Sequence, residues 1–197
     1  MTIVLASGNR GKKAEIVKLF PSHTVLLPDE RGIQFEHEET GETFLDNAMG
    51  KAQHLHTLTG TPVIADDSGL CVRALGGAPG VFSARYGSED NGQVLTDDDR
   101  NGYLLKNMKD VSDRRAFFVC SMVFLINENR FFIAQETVHG EITLSPQGDM
   151  GFGYDPLFFI PDLGKTAAQL EPDEKNEISH RGKAAAALAG LIARALP

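Results

Sequence analysis

The stretch from Pro62 to Val72 reads Pro-Val-Ile-Ala-Asp-Asp-Ser-Gly-Leu-Cys-Val. It has a short apolar run at each end, and such runs are typical of buried strands. The polar residues at 66–69, Asp-Asp-Ser-Gly, predict a break between the two strands. Two adjacent carboxylates at a buried break are destabilising unless other groups compensate their charge. A hard cation with oxygen ligands, such as Mg²⁺, is a suitable compensation.

Asp66 and Asp67 are neighbours, and neighbouring side chains on a strand point to opposite faces. One carboxylate can therefore face a cleft while the other caps or orients nearby groups. The alternative is that these residues begin the turn of a β-hairpin, which is a frequent use of Asp, Ser and Gly. The four polar residues alone do not separate the two interpretations.

The composition limits the classes of function. The chain has 197 residues, of which 42% are hydrophobic, so it can bury the core of one large domain or of two lobes. A net charge of −8 argues against nucleic acid or an anionic membrane as the main partner. Cys71 and Cys120 lie in apolar runs, which indicates reduced core thiols in a cytoplasmic protein. We expect no signal peptide and no membrane span.

The first residues predict a strand, a turn and a helix. Ile3 to Ala6 is apolar, Ser7-Gly8-Asn9 breaks the run, and Gly11 to Phe20 has a helical pattern. A turn that leads into a helix offers free backbone N–H groups, and phosphate is their usual ligand. Lys12 lies one turn into the helix on the same side. The alternative is an ordinary turn with a solvated lysine.

A second helix is predicted from about Glu42 to Leu58, after a polar and acidic loop over 28–41. Its polar stripe consists of Thr43, Asn47 and Lys51, spaced four residues apart. We expect this stripe to face away from the core, towards solvent or a cleft.

The middle of the chain sets the fold class. Strands are predicted over 116–126 and 130–138, joined by a hairpin turn, so the fold is α/β with a mixed sheet. The Gly-rich segment 76–80 predicts a tight loop. The polar segment 91–99 is expected to include a flexible stretch, and 103–108 resembles the end of a helix.

Phe152 lies between two glycines, where its ring can stack on a flat ligand or belong to the core. Pro172 suits the first position of a short helix that carries Lys175. Ser179 is expected to cap the last helix, which runs from Arg181 to about Leu196.

Six motifs in this order resemble those of the inosine triphosphate pyrophosphatase family, whose members hydrolyse non-standard purine nucleoside triphosphates. The motifs are Ser7-Gly8-Asn9-x-x-Lys12, Glu38-Glu39-Thr40-Gly41, Ala65-Asp66-Asp67-Ser68-Gly69, Gly76-Gly77-x-Pro79-Gly80, Gly151-Phe152-Gly153-Tyr154-Asp155-Pro156 and Ser179-His180-Arg181-Gly182. They span residues 7–182, and the segment 91–100 contributes nothing to the resemblance.

The resemblance implies one domain over residues 1–197, with two lobes around a long mixed β-sheet flanked by helices, related in fold to the Maf group. It implies a cytoplasmic homodimer. It also implies Mg²⁺-dependent cleavage between the α- and β-phosphates of ITP, dITP and XTP. The products are the monophosphate and pyrophosphate, and the reaction cleanses the nucleotide pool.

Carried over by position, Asp67 is the general base. The residues implied to bind substrate are Ser7, Gly8, Asn9, Arg10, Gly11, Lys12, Lys51, Ser68, Phe152, Gly153, Tyr154, Asp155, Lys175, His180 and Arg181. The implied metal ligands are Asp67 together with Glu38 or Glu39, and the resemblance does not separate the two glutamates. Because Arg181 is a pure donor, we expect it to read the oxygen at purine C6.

Two other functions are compatible with parts of this pattern. A Maf-like pyrophosphatase for pyrimidine or modified nucleotides would share the fold, but it should lack Phe152 and the His180-Arg181 pair. A nucleotide sensor would need the phosphate cradle and the stacking ring, but it would not need an activated water.

Overall fold

The structure, a computed structural model, describes residues 1–88 and 92–195. The strands in these ranges are β1 (Thr2–Leu5), β2 (Thr24–Leu26), β3 (Val63–Val72), β4 (Arg115–Asn127), β5 (Arg130–Ile142), β6 (Phe158–Ile160) and β7 (Lys165–Thr166). The α-helices that lie wholly within them are α1 (Arg10–Leu19), α2 (Phe44–Thr59), α3 (Asp97–Asn107), α4 (Pro172–Ile178) and α5 (His180–Ala195).

The strands form one mixed sheet in the order β2-β1-β3-β4-β5-β6-β7. β1 pairs in parallel with both β2 and β3, with Leu5 opposite Ile64. β6 pairs antiparallel with β5 and with β7. β4 and β5 are joined by the two residues Glu128 and Asn129, as the hairpin prediction required. The α/β class with a mixed sheet is therefore confirmed.

The chain divides into two compact units. The first contains Met1–Asp67, Cys120–Glu136 and the C-terminal part that begins at His180. The second contains Ser68–Val119 and Thr137–Ser179. The boundary between the units thus falls inside β3, directly after the pair of aspartates.

The first unit has a core on each face of its strands, because successive strand side chains point to opposite sides. Ile3, Leu5 and Ile64 pack with buried residues of α1 and α5. Val4 and Ala65 pack on the other face with buried residues of α2. This alternation determines which helices the next two residues of β3 will meet.

The second unit has a core of its own. Leu70 and Val72 come from the end of β3, Leu104 comes from α3, Met108 directly follows α3 as its C-cap, and Phe158 is the first residue of β6. All five side chains are 1% exposed or less. α3 is therefore fixed to its unit by a fully buried apolar face.

β3 runs without interruption through residues 66–69, so the predicted break and the hairpin-turn alternative are both wrong. The sequence predicts a break because buried carboxylates are destabilising in a strand without compensation. The strand continues here because each carboxylate meets a polar or charged partner from the helix on its own face, as described below.

α2 begins later than predicted, at Phe44, because Thr43 is its N-cap. The Thr43 hydroxyl accepts the Asp46 N–H, and the Asp46 carboxylate accepts the Thr43 N–H, which makes a capping box. The helix ends where Gly60 adopts a left-handed conformation, with φ of 62°. Within the polar stripe, Asn47 is only 1% exposed and Lys51 is partly buried, so neither side chain faces open solvent.

The structure also shows where two other helices begin. α3 starts at Asp97, within the polar segment 91–99, because Thr96 caps it by accepting the Asp99 N–H. Asn91 lies outside the described residues. α5 starts at His180, one residue before the prediction, and its predicted end near Leu196 lies outside the described residues.

Cys71 and Cys120 are free and buried, as predicted. Burial raises the pKa of both thiols, which keeps them protonated and unreactive. Within residues 1–88 and 92–195, no helix is long and apolar enough to cross a membrane.

Candidate functional site

Asp66 continues the face of Ile64, towards α1 and α5. Lys12 of α1 donates to both of its carboxylate oxygens at 2.9 Å, and Nε of Arg181 on α5 donates to Oδ2 at 3.1 Å. The aspartate is only 2% exposed. Burial alone would raise the pKa of this carboxyl group, but the positive charges of Lys12, Arg181 and Lys51 outweigh burial and hold the pKa well below its usual range. Asp66 therefore remains ionised inside the protein.

Asp66, Lys12 and Arg181 together carry two positive charges and one negative charge. The surplus of one positive charge favours an anionic ligand. Asp66 also fixes the two long cationic side chains before any ligand arrives, which lowers the entropy lost on binding.

Asp67 continues the opposite face, towards α2. Nδ2 of Asn47 donates to Asp67 Oδ2 at 2.9 Å, and Oδ1 of Asn47 accepts the Gly41 N–H at 2.7 Å. A Cβ atom on Gly41 would lie 2.7 Å from Oδ1 of Asn47, so only glycine allows this approach. Both ends of the amide are thus engaged, and Asn47 holds the buried carboxylate in one orientation without neutralising its charge.

Lys51 lies one helical turn beyond Asn47 and donates to Oε1 of Glu39 at 2.5 Å. Glu38 and Glu39 belong to a segment without regular secondary structure, 33–41, in which partly buried and exposed residues alternate. Accordingly Glu38 is exposed, whereas Glu39 is partly buried against α2. The structure thus distinguishes two glutamates that the sequence did not separate.

The Mg²⁺ that the resemblance implies can be tested against these carboxylates. Among the described residues, no group of three or more His, Cys, Asp or Glu is gathered that could hold a metal ion. However, Mg²⁺ is usually held by one or two carboxylates, with waters and substrate phosphates as the other ligands. Glu39 and Asp67 are tethered to neighbouring turns of α2, so this donor pair fits such an ion. The exposed Glu38 does not belong to it.

The turn before α1 is less open than the sequence predicts. Oδ1 of Asn9 caps the helix by accepting the N–H groups of Gly11 and Lys12, at 2.8 and 3.2 Å. Ser7 Oγ accepts the Asn9 N–H at 3.0 Å. The N–H groups of Asn9, Gly11 and Lys12 are therefore bonded within the chain, so fewer N–H groups are free at this turn than the sequence predicts. Arg10 lies on the surface in an ion pair with a carboxylate at 3.0 Å.

Phe152, which the sequence assigns either to ligand stacking or to the core, lies at the surface of the second unit. Phe152 is 58% exposed, so its assignment to the core is wrong. Nζ of Lys175 lies 4.8 Å from the centroid of the ring and also pairs with the buried Asp155. Asp155 in turn accepts the Phe152 N–H at 2.8 Å. The ring is thus presented to solvent on a loop that Asp155 and Lys175 hold in place.

Gly151 is essential to this loop. Its φ is +82°, and a Cβ atom there would lie 2.2 Å from Oδ2 of Asp155. Tyr154, by contrast, turns inward and is 4% exposed, and its hydroxyl donates to the Ser83 carbonyl at 2.9 Å. Burial raises the pKa of Tyr154. The Tyr154 side chain therefore holds the loop on the core of its unit and does not present a surface to a ligand.

The chain is similar to known proteins over nearly its full length. The sequence profile that describes the Ham1 family matches residues 3–191. The chain belongs to the Ham1 family. Together with the relatives described next, this match confirms the resemblance to the inosine triphosphate pyrophosphatase family that the six motifs indicated.

Individual relatives of this Ham1-family chain match it over nearly all its length. A protein of Treponema denticola named dITP/XTP pyrophosphatase is 52% identical over 192 residues, which cover 98% of each chain. The solved structure of a HAM1 protein from Coxiella burnetii is 42% identical with a TM-score of 0.91, and the match covers 98% of this chain and 99% of that one. For the Ham1 protein of Staphylococcus aureus the identity is 39%, the TM-score 0.90 and the coverage 99% and 100%.

The site residues predicted for this Ham1-family chain fall into two groups, each within one unit. The first unit contains the cluster of Lys12, Asp66 and Arg181, the pair of Lys51 and Glu39, and Asp67 with its partner Asn47. The second unit joins Phe152, Gly153, Asp155 and Lys175. His180 is the first residue of α5, directly before Arg181, and Ser68 is partly buried in β3. Arg10 and Glu38 are exposed and lie apart from these contacts.

Sequence reasoning missed three polar residues that hold site residues of this Ham1-family chain. Asn47 was recognised only as part of the polar stripe, although its spacing from Lys51 was a usable signal. Asp97 and Asn101 contact Gly153 through its N–H and carbonyl groups. No local pattern could reveal these two contacts, because the partners are more than 50 residues apart.

Proposed function

We propose that this chain hydrolyses the non-standard purine nucleotides ITP, dITP and XTP to the monophosphate and pyrophosphate, with Mg²⁺. The observation that carries the proposal is the pair of buried carboxylates on opposite faces of β3. One, Asp66, anchors two cations, and the other, Asp67, is oriented by a neutral amide. Relatives named dITP/XTP pyrophosphatase support the substrate class.

The triphosphate binds to the cations of the first unit. A nucleoside triphosphate carries about four negative charges, and catalysis of phosphoryl transfer depends mainly on positioned positive charge. Lys12 and Arg181 share one carboxylate and supply the surplus charge described above. Lys51 lies beside them closely enough that its charge also lowers the pKa of Asp66.

Asp67 acts as the general base. It accepts a proton from a water molecule while the water oxygen forms a bond to the α-phosphorus. The bond from that phosphorus to the bridging oxygen breaks, and pyrophosphate leaves with the electron pair. Asn47 keeps the carboxylate at the angle that this proton transfer requires. The 8% exposure of Asp67 limits competing contacts with solvent.

Glu39 and Asp67 would hold the Mg²⁺ ion, with Glu39 tethered by Lys51. When bound, Mg²⁺ supplies positive charge that offsets the charge of the phosphates and makes the α-phosphorus easier to attack. Replacement of Glu39 by Gln should then raise the Mg²⁺ concentration required for activity, whereas replacement of the exposed Glu38 should not.

The purine base stacks on Phe152, whose exposed ring is fixed by Asp155 and Lys175. Stacking of a base on an aromatic ring is worth about 1–3 kcal/mol and hardly distinguishes one base from another. Discrimination between inosine and adenosine must therefore come from polar groups. Arg181 is engaged with Asp66 beside Lys12, which favours a phosphate contact for it over the C6 contact expected from its donor chemistry alone.

The test is product analysis over a panel of nucleotides. The purified protein is incubated with ITP, dITP, XTP, ATP, GTP and a pyrimidine triphosphate, with Mg²⁺ or with EDTA, and the products are identified by ³¹P NMR. We expect monophosphate and pyrophosphate from the first three nucleotides, and no turnover with EDTA. Release of orthophosphate would show that a different bond is broken. Preference for pyrimidines would favour the Maf-like activity, and binding without turnover would favour a sensor.

The proposal includes a cytoplasmic homodimer, which rests on the family resemblance. Light scattering coupled to gel filtration tests the assembly, and it should give twice the chain mass of 21.4 kDa.

A further inference from the structure

The first turns of α3 form hydrogen bonds to the Phe152 loop, residues 151–155. The carboxylate of Asp97 accepts the Gly153 N–H through Oδ2 at 2.7 Å, and Nδ2 of Asn101 donates to the Gly153 carbonyl at 2.9 Å. Asp97 and Asn101 are four residues apart and hence on the same side of the helix. Both hydrogen-bonding groups of the glycine that follows Phe152 are therefore held by one helix face.

α3 is well suited to act as a rigid support. Its Leu104 is fully buried in the core of the second unit. Tyr103 packs edge-on against Tyr86, and Asn107 donates to the Tyr86 hydroxyl at 3.0 Å. Arg100 donates both to Asp97 and to the Ala84 carbonyl, so the Asp97 carboxylate is itself held in place.

Asn101 is unlike an ordinary packing residue. It is 3% exposed, and within the part of the chain that the structure describes its Oδ1 atom has no hydrogen-bond partner. An unpaired buried acceptor is destabilising, so packing alone would favour an apolar side chain here. The hydrogen bond from Nδ2 to the Gly153 carbonyl is the interaction that this polar side chain contributes.

We propose that Asp97 and Asn101 are positioning residues for the purine base, because they fix Gly153 and thereby the orientation of the Phe152 ring. The effect on purine binding rests on the proposed function. The anchoring of Gly153 by α3 does not depend on that function, because it can be measured in the free protein. Neither residue touches the substrate in this account; both act through the backbone of the loop.

The experiment compares Asp97→Ala and Asn101→Leu with Asp98→Ala, a matched control. Asp98 is an exposed acidic residue in the same first turn, so its loss affects the charge at the helix start equally. Hydrogen exchange of the free proteins is measured for the amides of residues 151–155. We expect the Gly153 amide to exchange about tenfold or more faster in Asp97→Ala, since it loses its acceptor, and at the wild-type rate in Asp98→Ala.

Kinetics then test the consequence for binding. We expect both variants to raise KM for ITP about threefold to tenfold, since a misplaced ring loses part of its stacking, with a smaller change in kcat. Inhibition by tripolyphosphate, which has no base, should be unchanged. A merely destabilised protein would instead lose activity in proportion to its unfolded fraction, which the melting temperature reports.

The outcomes separate the two claims. Wild-type exchange at Gly153 in Asp97→Ala would overturn the anchoring. Faster exchange with an unchanged KM for ITP, or an equal loss of tripolyphosphate inhibition, would overturn the positioning role. If the wild-type protein itself releases no pyrophosphate from ITP, the proposed function fails, and the exchange data still decide whether α3 anchors the loop.

Discussion

At the scale of single residues, two adjacent aspartates have different environments because they lie on opposite faces of one strand. Asp66 meets Lys12 and Arg181 from the helices on its face. Asp67 meets the Asn47 amide from the helix on the other face. Asp66 thus becomes a buried counterion, whereas the charge of Asp67 is oriented and not neutralised by Asn47.

Asp66→Asn should lower the free energy of unfolding by about 3 kcal/mol at neutral pH, because two partly buried cations lose their shared buried partner. The pKa of Asp66 lies below that of an unfolded aspartate, about 3.9. Its contribution is therefore complete above that value and declines as the pH falls below about 4, towards the folded-state pKa. Urea unfolding of both proteins checks this. The stability difference should be constant from about pH 7 to 5 and shrink below pH 4, and a difference independent of pH would contradict it.

Arg181→Ala should lower kcat/KM for ITP and for ATP by similar factors of about 10 to 100, as for the loss of a charged hydrogen bond to phosphate. The exposed Arg194 lies on the same helix, so Arg194→Ala serves as the control. The ratio of kcat/KM for the two nucleotides is measured in all three proteins. A ratio that falls towards one in Arg181→Ala alone would show that Arg181 reads the base after all.

At the scale of elements, the N-cap of α2 determines the orientation of Asp67, the candidate general base. Thr43 fixes where the helix begins, and this places Asn47 and Lys51 one turn apart on the side of Asp67 and Glu39. The helix therefore carries the groups that hold both proposed Mg²⁺ ligands.

Asn47→Leu should lower kcat about 10- to 100-fold with a smaller change in KM, the usual range for a residue that orients a reacting or ligating group. Leucine has a similar size but cannot donate to Asp67. Gln53→Leu, on the exposed part of the same helix, should leave kcat unchanged. Steady-state kinetics with ITP decide, and an equal loss of kcat in both variants would show that the effect does not come from the contact between Asn47 and Asp67.

The Phe152 loop allows a matched test with two glycines. Gly151 and Gly153 both have positive φ, but a Cβ atom on Gly151 would meet Asp155 at 2.2 Å, whereas one on Gly153 has open space. Each change to alanine costs about 1–2 kcal/mol for the left-handed backbone. Only Gly151→Ala should also displace Asp155 and Lys175 and so raise KM for ITP. Equal KM values in the two variants would contradict the role given to the Asp155 contact.

Elements also show where sequence reasoning reaches its limit. Two runs rich in Phe, Val and Ile on either side of a polar turn predicted the hairpin of β4 and β5 and the mixed sheet, because aromatic and β-branched side chains suit a strand. The sequence wrongly predicted a break in β3 at residues 66–69. The groups on α1, α2 and α5 that compensate the two carboxylates are distant in sequence and could not be recognised. Sequence reasoning also did not locate the start of α3, because three acidic residues in a first helical turn resemble a solvated segment when the cap at Thr96 is overlooked.

At the scale of the whole molecule, each unit has its own core and its own group of candidate site residues. The first unit carries the cations and carboxylates that suit a polyphosphate, and the second carries the exposed aromatic ring. Motif order along the chain could predict this set of residues. It could not predict how the cations divide among carboxylate partners, which depends on strand alternation and helix register.

The proposed function depends most on Asp67 as the general base of a hydrolase that releases pyrophosphate. The most direct measurement is pyrophosphate release from ITP by Asp67→Asn, with ITP binding measured by calorimetry on the same preparation. Loss of a general base typically lowers turnover about 10²- to 10⁴-fold. We expect Asp67→Asn to lose turnover by this factor or more, with an unchanged melting curve and retained binding of ITP. Turnover near the wild-type rate would contradict it.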